Sequence, residues 1–172
     1  MVTLRSAMPG DARRLNAFRK ALHRDSKHLN ATAREATGSW LRTRSAISDT
    51  LLEPHMLDLL AMSGTQVLGE LHLRGLNFAR LRHDLRLAIG VLPHVQGQGL
   101  GSGLLKRAIT WASGTRGVER ISLSVHAGNT AALELYRKFG FVEEGQRKGA
   151  VLPLSGETNQ SRIDEILMAL FL

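Results

Sequence analysis

The chain contains no cysteine. It can therefore build no disulfide framework, no thiolate metal site and no thiol nucleophile, which fits a reducing compartment. Nor does any apolar run approach membrane-spanning length, because Glu53, His55 and Asp58 interrupt the most apolar internal stretch. Met1 to Asp11 lacks the apolar core of a signal peptide, so a soluble cytoplasmic domain with no membrane partner is expected. None of the seven histidines stands in a ligand spacing such as His-Glu-x-x-His, and no metal is expected. Repeats and low-complexity segments are absent too, so nothing divides the chain.

What is present is ordinary for a globular protein. With 43% hydrophobic and 22% charged residues, 172 residues suit a single domain spanning 1–172. Twenty-three basic against 15 acidic residues give a net charge of +8, which favours an anionic ligand. The arginines are scattered, with no recognition-helix signature and no interleaved aromatics, so no nucleic-acid partner is expected.

Hydrophobic periodicity outlines the elements. Val2 to Arg5 reads as a strand, and Leu15, Phe18 and Leu22 stand at helical spacing within Ala12 to Leu22. His23 to Ser39 is polar and weakly patterned, and helix resumes over Trp40 to Leu52. Met56 to Met62 and Gln66 to Leu73 form a hairpin around Ser63-Gly64-Thr65. Leu85, Leu87, Ile89 and Val91 alternate as a strand ended by Pro93, and Leu100, Leu104, Leu105, Ile109 and Ala112 mark a helix face. Ile121, Leu123 and Val125 alternate again. Asn129 is an N-cap for a helix with an inner face of Ala132, Leu135, Tyr136 and Phe139, ended by Gly140 with Phe141 beyond it. Phe141 to Arg147 and Ile166 to Leu172 close the fold as strands. The pattern predicts an α/β (α+β) domain with a mixed sheet of about seven strands and about four helices.

The sharpest local feature is the run Val91 to Gly103, with glycines at 97, 99, 101 and 103 between a strand and a helix. Such a turn exposes a row of backbone N–H groups at the positive end of a helix, the requirement for a pyrophosphate site. Tight strand–helix packing alone would also call for small residues. A P-loop would need Gly-Lys-Ser/Thr, but here the glycines run into Leu104-Leu105. A dinucleotide fingerprint would need a small residue three positions after its second glycine, and an acid at the end of the next strand. Glu119 precedes that strand instead.

Gln96, Gly99 and Gly101 in this context, followed by Asn129, Tyr136 seven residues later, and Gly140-Phe141, resemble the GNAT family of N-acetyltransferases. Glu144-Gly145 is also similar. The resemblance is sharp over residues 81–148. It implies acetyl-CoA as co-substrate and an amine acceptor, most like the branch acting on small amines and amino acids. A protein N-terminus or lysine is the alternative acceptor, and a non-catalytic acyl-CoA-binding regulatory module is the alternative of another class. By resemblance the strand ending at Val91 splays from its neighbour, and the Val91 N–H polarises the thioester carbonyl. Cofactor contacts would come from Val91, Leu92, Pro93, Gln96, Gln98, Gly99, Leu100, Gly101, Ser102, Gly103, Leu104, Asn129 and Tyr136. Tyr136 would protonate the departing thiolate after direct attack, and a homodimer is common in the family.

The chain departs from the family in its base. Many members carry a carboxylate near the middle of the strand that here reads His83-Asp84-Leu85-Arg86-Leu87, and the ribosomal-protein branch has a glutamate where Ser124 stands. An amine attacks only when neutral, so a base is needed. His83, Glu70, Asp84 and His126 remain as candidates, with His83 or a water relay expected to take the proton. Glu70 can instead pair with Arg86 across the sheet. Arg74, Arg82 and Arg86 suit an acceptor carboxylate, or simply a solvated surface. The segments His23 to Trp40 and Val151 to Arg162 are expected to shape the acceptor side.

Overall fold

Two sequence periods set the architecture: alternation builds the strands, and the 3.6-residue period lays helices on both faces of the sheet they form. In the computed structural model, which describes residues 1–36, 38–153 and 162–172, the chain runs β1 (Val2–Ser6), α1 (Ala12–Asp25), α2 (Ala33–Ala36), α3 (Trp40–Leu52), β2 (Met56–Ser63), β3 (Gln66–Gly75), β4 (Asp84–Val91), α4 (Leu100–Ser113), β5 (Arg120–His126), α5 (Thr130–Lys138), β6 (Val142–Val151) and β7 (Ile163–Phe171). Four of these helices are the expected ones. The fifth, α2, lies in the weakly patterned segment and is held by a capping box: the Thr32 N–H donates to Glu35, and the Glu35 N–H to the Thr32 hydroxyl. Part of the 151–162 loop expected on the acceptor side lies outside the described residues, as does Thr37.

The seven strands form one sheet in the order β1-β2-β3-β4-β5-β7-β6. Every neighbouring pair is antiparallel except β4 and β5, which α4 joins as a crossover. Parity along the strands divides the core in two. Leu57, Leu59, Leu71, Leu73, Leu85 and Ile121 face Leu104, Leu105 and Ala108 of α4. Leu60, Met62 and Leu68 face Leu15, Phe18 and Leu22 of α1, with Ile47 of α3. Each leucine fully buried in this way contributes about 1.5–3 kcal/mol of transfer free energy.

β4 and β5 pair only where Asp84–Arg86 meet Arg120–Ser122. Beyond that short ladder the two strands diverge in the middle of the sheet. The Glu119 and Arg120 N–H groups both donate to the His83 carbonyl, which pins the closed end. The open end is where the site forms.

Candidate active site

The divergence leaves a cavity of about 740 Å³ between Leu87–Val91 on one side and Ser124–His126 on the other. That size suits a small-molecule site. Because Leu92 N–H donates to the Leu68 carbonyl of β3 at 3.0 Å, strand alternation turns the Val91 N–H the other way, into the cleft. Gln96 Nε2 donates to the Val91 carbonyl at 3.0 Å and tethers the turn to the end of the strand.

One end of the cavity is the start of α4. Gly97 and Gly99 have φ of 76° and 81°, a left-handed backbone that glycine adopts without a Cβ clash. Gly99 is the N-cap, and the Gly103 N–H donates to its carbonyl at 2.9 Å as the first turn closes. The N–H groups of Leu100, Gly101 and Ser102 therefore have no acceptor within the helix, and all three residues line the cavity. No acidic side chain sits in this first turn to offset the positive end of the helix. The arrangement can hold an anion, and a phosphate fits its backbone donors.

α5 supplies the opposite wall. The Asn129 side chain caps it by accepting from the Ala132 N–H at 3.3 Å. The helix ends in a Schellman motif: Phe141 N–H donates to Tyr136 carbonyl and Gly140 N–H to Arg137 carbonyl, with Gly140 at φ 88°. That hydrogen-bonded stop, and a ring contact of 5.6 Å with Phe141, fix the backbone and ring of Tyr136. Tyr136 is 6% exposed, lines the cavity, and its hydroxyl is pushed well above the ordinary value by burial. At neutral pH it therefore stays protonated and can act as a hydrogen-bond donor into the cavity.

The remaining wall is polar. Glu165 of β7 is buried and accepts from Asn30 Nδ2 at 3.1 Å, from the Ser124 hydroxyl at 3.2 Å and from Arg147. His126, opposite Glu165 in the β5–β7 register, places Nε2 2.6 Å from Asn30 Oδ1. Burial pushes the His126 imidazole below its ordinary value, and neighbouring His28 adds to this, while Glu165 opposes both.

A strand pair splayed beside a glycine-rich helix start, with a tyrosine across the gap, invites comparison with known proteins. Residues 20–141 match the model of the acetyltransferase (GNAT) family. The chain belongs to that family. Its fold is that of a GNAT acetyltransferase from Streptococcus pneumoniae, 27% identical with a TM-score of 0.94 and all of both chains covered. It also superposes on yncA from Salmonella typhimurium, solved with its cofactor acetyl-CoA, at 20% identity and a TM-score of 0.85 over 100% of this chain and 94% of that one. Among curated relatives, the [ribosomal protein bS18]-alanine N-acetyltransferase of Escherichia coli K12 is 40% identical over 82 residues, 48% of this chain and 51% of that protein. Mycothiol acetyltransferase of Salinispora arenicola is 34% identical over 77 residues, 41% of this chain and 25% of that one. The matched regions thus span about a quarter to half the length of these relatives.

Within this GNAT domain, the cavity gathers Val91, Gln96, Gly99, Leu100, Gly101, Ser102, Asn129 and Tyr136 from the residues read as cofactor contacts. The others lie beside it. Leu92 packs in the α1-side core and Leu104 in the α4-side core. Gly103 faces β1, where an added Cβ would come 2.9 Å from Leu4. Pro93 and Gln98 are exposed and do not line the cavity.

Of the four candidate bases, His126 lines the cavity and the other three lie elsewhere. His83 sits in the turn before β4, about 26 Å from Val91 by strand rise, at the closed end of the splay. Asp84, beside it, pairs with Arg120 at 3.2 Å. Glu70 does not pair with Arg86, because the register sets Glu70 against Gly90 and Arg74 against Arg86. Burial alone would push the Glu70 carboxyl up, but two hydrogen bonds from Arg19, with His72 nearby at 3.8 Å, outweigh it and leave it at about 2. It is held as an ion pair, too weakly basic for proton abstraction. None of Arg74, Arg82 and Arg86 lines the cavity, and Arg74 is engaged by Asp58 at 2.5 Å. Asp58, Glu70 and His72 come within 4.8 Å of one another, but both carboxylates are already neutralised by arginines.

The segment after α1, expected to shape the acceptor side, reaches the cavity through Ser26, His28, Leu29 and Asn30. Asn30, Lys138 and Glu165 are cavity residues that the sequence reading missed. Glu165 had a faint signal, an acid just ahead of a continuously apolar strand; Asn30 had none.

Proposed function

We propose that this GNAT domain transfers the acetyl group of acetyl-CoA directly to a primary amine, of a small molecule or an amino acid. The observation that carries the reading is the convergence on one cavity of three elements: the unpaired N–H groups opening α4, the Val91 N–H, and the Tyr136 hydroxyl. In this reading the pyrophosphate of acetyl-CoA rests on Leu100, Gly101 and Ser102, and the pantetheine arm runs between β4 and α5 beside Asn129. The thioester carbonyl meets the Val91 N–H, which stabilises negative charge on that oxygen as the amine adds. As the C–S bond breaks, Tyr136 gives its proton to the sulfur and is reprotonated from the acyl nitrogen, so the weak acid acts as a relay. Attack is direct in this reading, which suits a chain with no cysteine to form a thioester intermediate.

Peptide N-termini are the second acceptor class, favoured by the 40% identity to the bS18-alanine enzyme. Ser124 weakens that reading only in part, because its hydroxyl meets Glu165, so a carboxylate still occupies this wall. The test is thermal unfolding with saturating acetyl-CoA, with NADH as control, followed by release of free CoA thiol with a panel of amines. A ligand at a hundred times its dissociation constant adds about 2.7 kcal/mol to the folded state. A shift with acetyl-CoA alone and thiol release with a small amine are expected. No shift would overturn the cofactor assignment, and a shift with no turnover would point to the non-catalytic acyl-CoA module.

A further inference from the structure

The polar wall contains a residue whose protonation is set by its neighbours. A carboxylate can only accept, so the contact from Asn30 to Glu165 Oε1 fixes the Asn30 amide with its Nδ2 toward Glu165 and its Oδ1 toward His126. Asn30 Oδ1 in turn can only accept, so His126 Nε2 must donate at 2.6 Å. In the neutral imidazole the proton then sits on Nε2, and Nδ1 carries a lone pair. That atom is buried and has no hydrogen-bond partner among the described residues. His126 is 4% exposed, lines the cleft, and stands on the same face of β5 as Ser124. An unsatisfied buried acceptor on the acceptor side of a transferase cleft is a place for a donor to come.

Building on the acetyl-transfer reading above, we propose that His126 Nδ1 is the base that takes the proton of the acceptor amine, with Asn30 and Glu165 as positioning residues that fix its tautomer. The ammonium R–NH3⁺ passes one proton to Nδ1 and becomes R–NH2. Its nitrogen lone pair then forms the C–N bond while the C–S electrons leave on sulfur. The second nitrogen proton reaches sulfur through Tyr136, and the first is lost from His126 to solvent. The sum is one acetamide, one CoA thiol and one proton.

The groups around the ring suit this exchange. Glu165 from β7 stabilises the imidazolium once it forms, while His28, 6.0 Å away from the segment after α1, disfavours it and speeds its discharge. Arg147 from β6 is engaged on the far oxygen of Glu165, and Lys138 of α5 lines the same cavity. Removal from water weakens an ammonium's hold on its proton, so a base below ordinary histidine strength can still accept it.

The test has two arms on the full chain. Long-range proton–nitrogen NMR of ¹⁵N-histidine-labelled protein, with His126→Gln for assignment, should show a neutral ring at pH 7 with its proton on Nε2. A proton on Nδ1 overturns the proposal whatever the acceptor. In the second arm, thiol release from acetyl-CoA is followed against pH with amino acids, their amides and simple alkylamines. His126→Gln should lower kcat/KM by roughly 10²-fold or more and remove the limb below about pH 6.5, while acetyl-CoA still stabilises the protein. Glu165→Gln should move that limb to lower pH, and Asn30→Ala should make the NMR tautomer mixed; neither would follow from a merely structural role. A His126→Gln rate within about threefold of wild type, with the limb intact, sinks the base and leaves acetyl transfer standing. A wild type stabilised by acetyl-CoA that releases no thiol with any of these amines overturns the transfer reading, and the base with it.

Discussion

The two walls of the cleft are built in opposite ways. The wall facing the glycine turn is local: β4, α4, β5 and α5 follow one another between Asp84 and Lys138, and its working groups are mostly backbone N–H donors. The polar wall is assembled from afar, with Asn30 and Glu165 in contact across 135 residues of sequence. Backbone donors depend on conformation, so they demand glycine and tight spacing but tolerate change elsewhere. A side-chain wall depends on identity at a few scattered positions. Such a division lets acceptor choice change without disturbing the groups that hold the donor, and substitutions on each side should therefore fail differently.

Gly101→Asp should have the largest effect and tests the backbone wall. Its Cβ would meet Leu135 at 3.3 Å, a contact a flexible side chain can relieve. A carboxylate in the first turn of α4 stabilises the helix by about 0.3–1 kcal/mol. The same charge stands in the anion site, where like-charge juxtaposition costs several kcal/mol, or on the order of 10³-fold in acetyl-CoA affinity. The expected outcome is an unligated melting temperature at or above wild type, with no shift on adding acetyl-CoA. Preserved binding would mean that phosphate does not rest there.

Across the cleft from the polar wall, on the β3 side of β4, the Arg19–Glu70 pair concerns stability. Arg19→Ala strands a buried carboxylate, for a loss of about 3 kcal/mol, the low end of the range because Arg19 is 26% exposed. Glu70 is depressed from 4.5 to about 2 in the folded state, so its contribution is fully present above 4.5 and is lost as pH falls toward 2. The difference is worth about 3 kcal/mol by linkage. Denaturant unfolding of wild type and variant should therefore differ most at neutral pH and converge near pH 2. A gap that stays constant with pH would assign Arg19 to packing alone.

Tyr136→Phe acts on chemistry. With the ring packed on Phe141, loss of the hydroxyl should leave the fold and the acetyl-CoA shift in place and cut kcat by roughly 10²-fold. An unchanged kcat would show that another group or water protonates the sulfur.

The same division explains what was legible in the sequence. Gly97, Gly99, Asn129, Tyr136 and Gly140 act through rules of a few residues' range, namely left-handed turns, caps and helix faces, and the structure puts each where those rules do. α2 was readable in principle from Thr32-x-x-Glu35, but four residues without an apolar stripe give no periodicity. His83, the candidate expected to take the proton, stands away from the cavity because strand parity says which face a residue takes but not how far along the strand the cleft opens. His83 has the right parity at the wrong end. Glu70 was matched to Arg86 on cross-strand logic, whereas its partner comes from α1, on the helix layer that strand patterns do not describe. Asn30 could be found only with the fold in hand.

Asn129 gives the smallest and most discriminating case, because the backbone wall here relies on one side chain. Its Oδ1 caps α5, and its residue lines the cavity, so one substitution confounds two roles. Asn129→Ala removes the cap, at about 1 kcal/mol. In a domain of this size that lowers the melting temperature by about 2–4 °C. Asn129→Asp keeps a capping oxygen, and its charge at a helix start is favourable, so stability should match wild type. What Asp cannot supply is the amide N–H pair. If that pair holds the pantetheine arm, Asn129→Asp should raise the KM for acetyl-CoA while its melting temperature stays put. If the residue is only a cap, Asp should restore both stability and KM, and the contact with the arm would have to come from the strand edge of β4 instead.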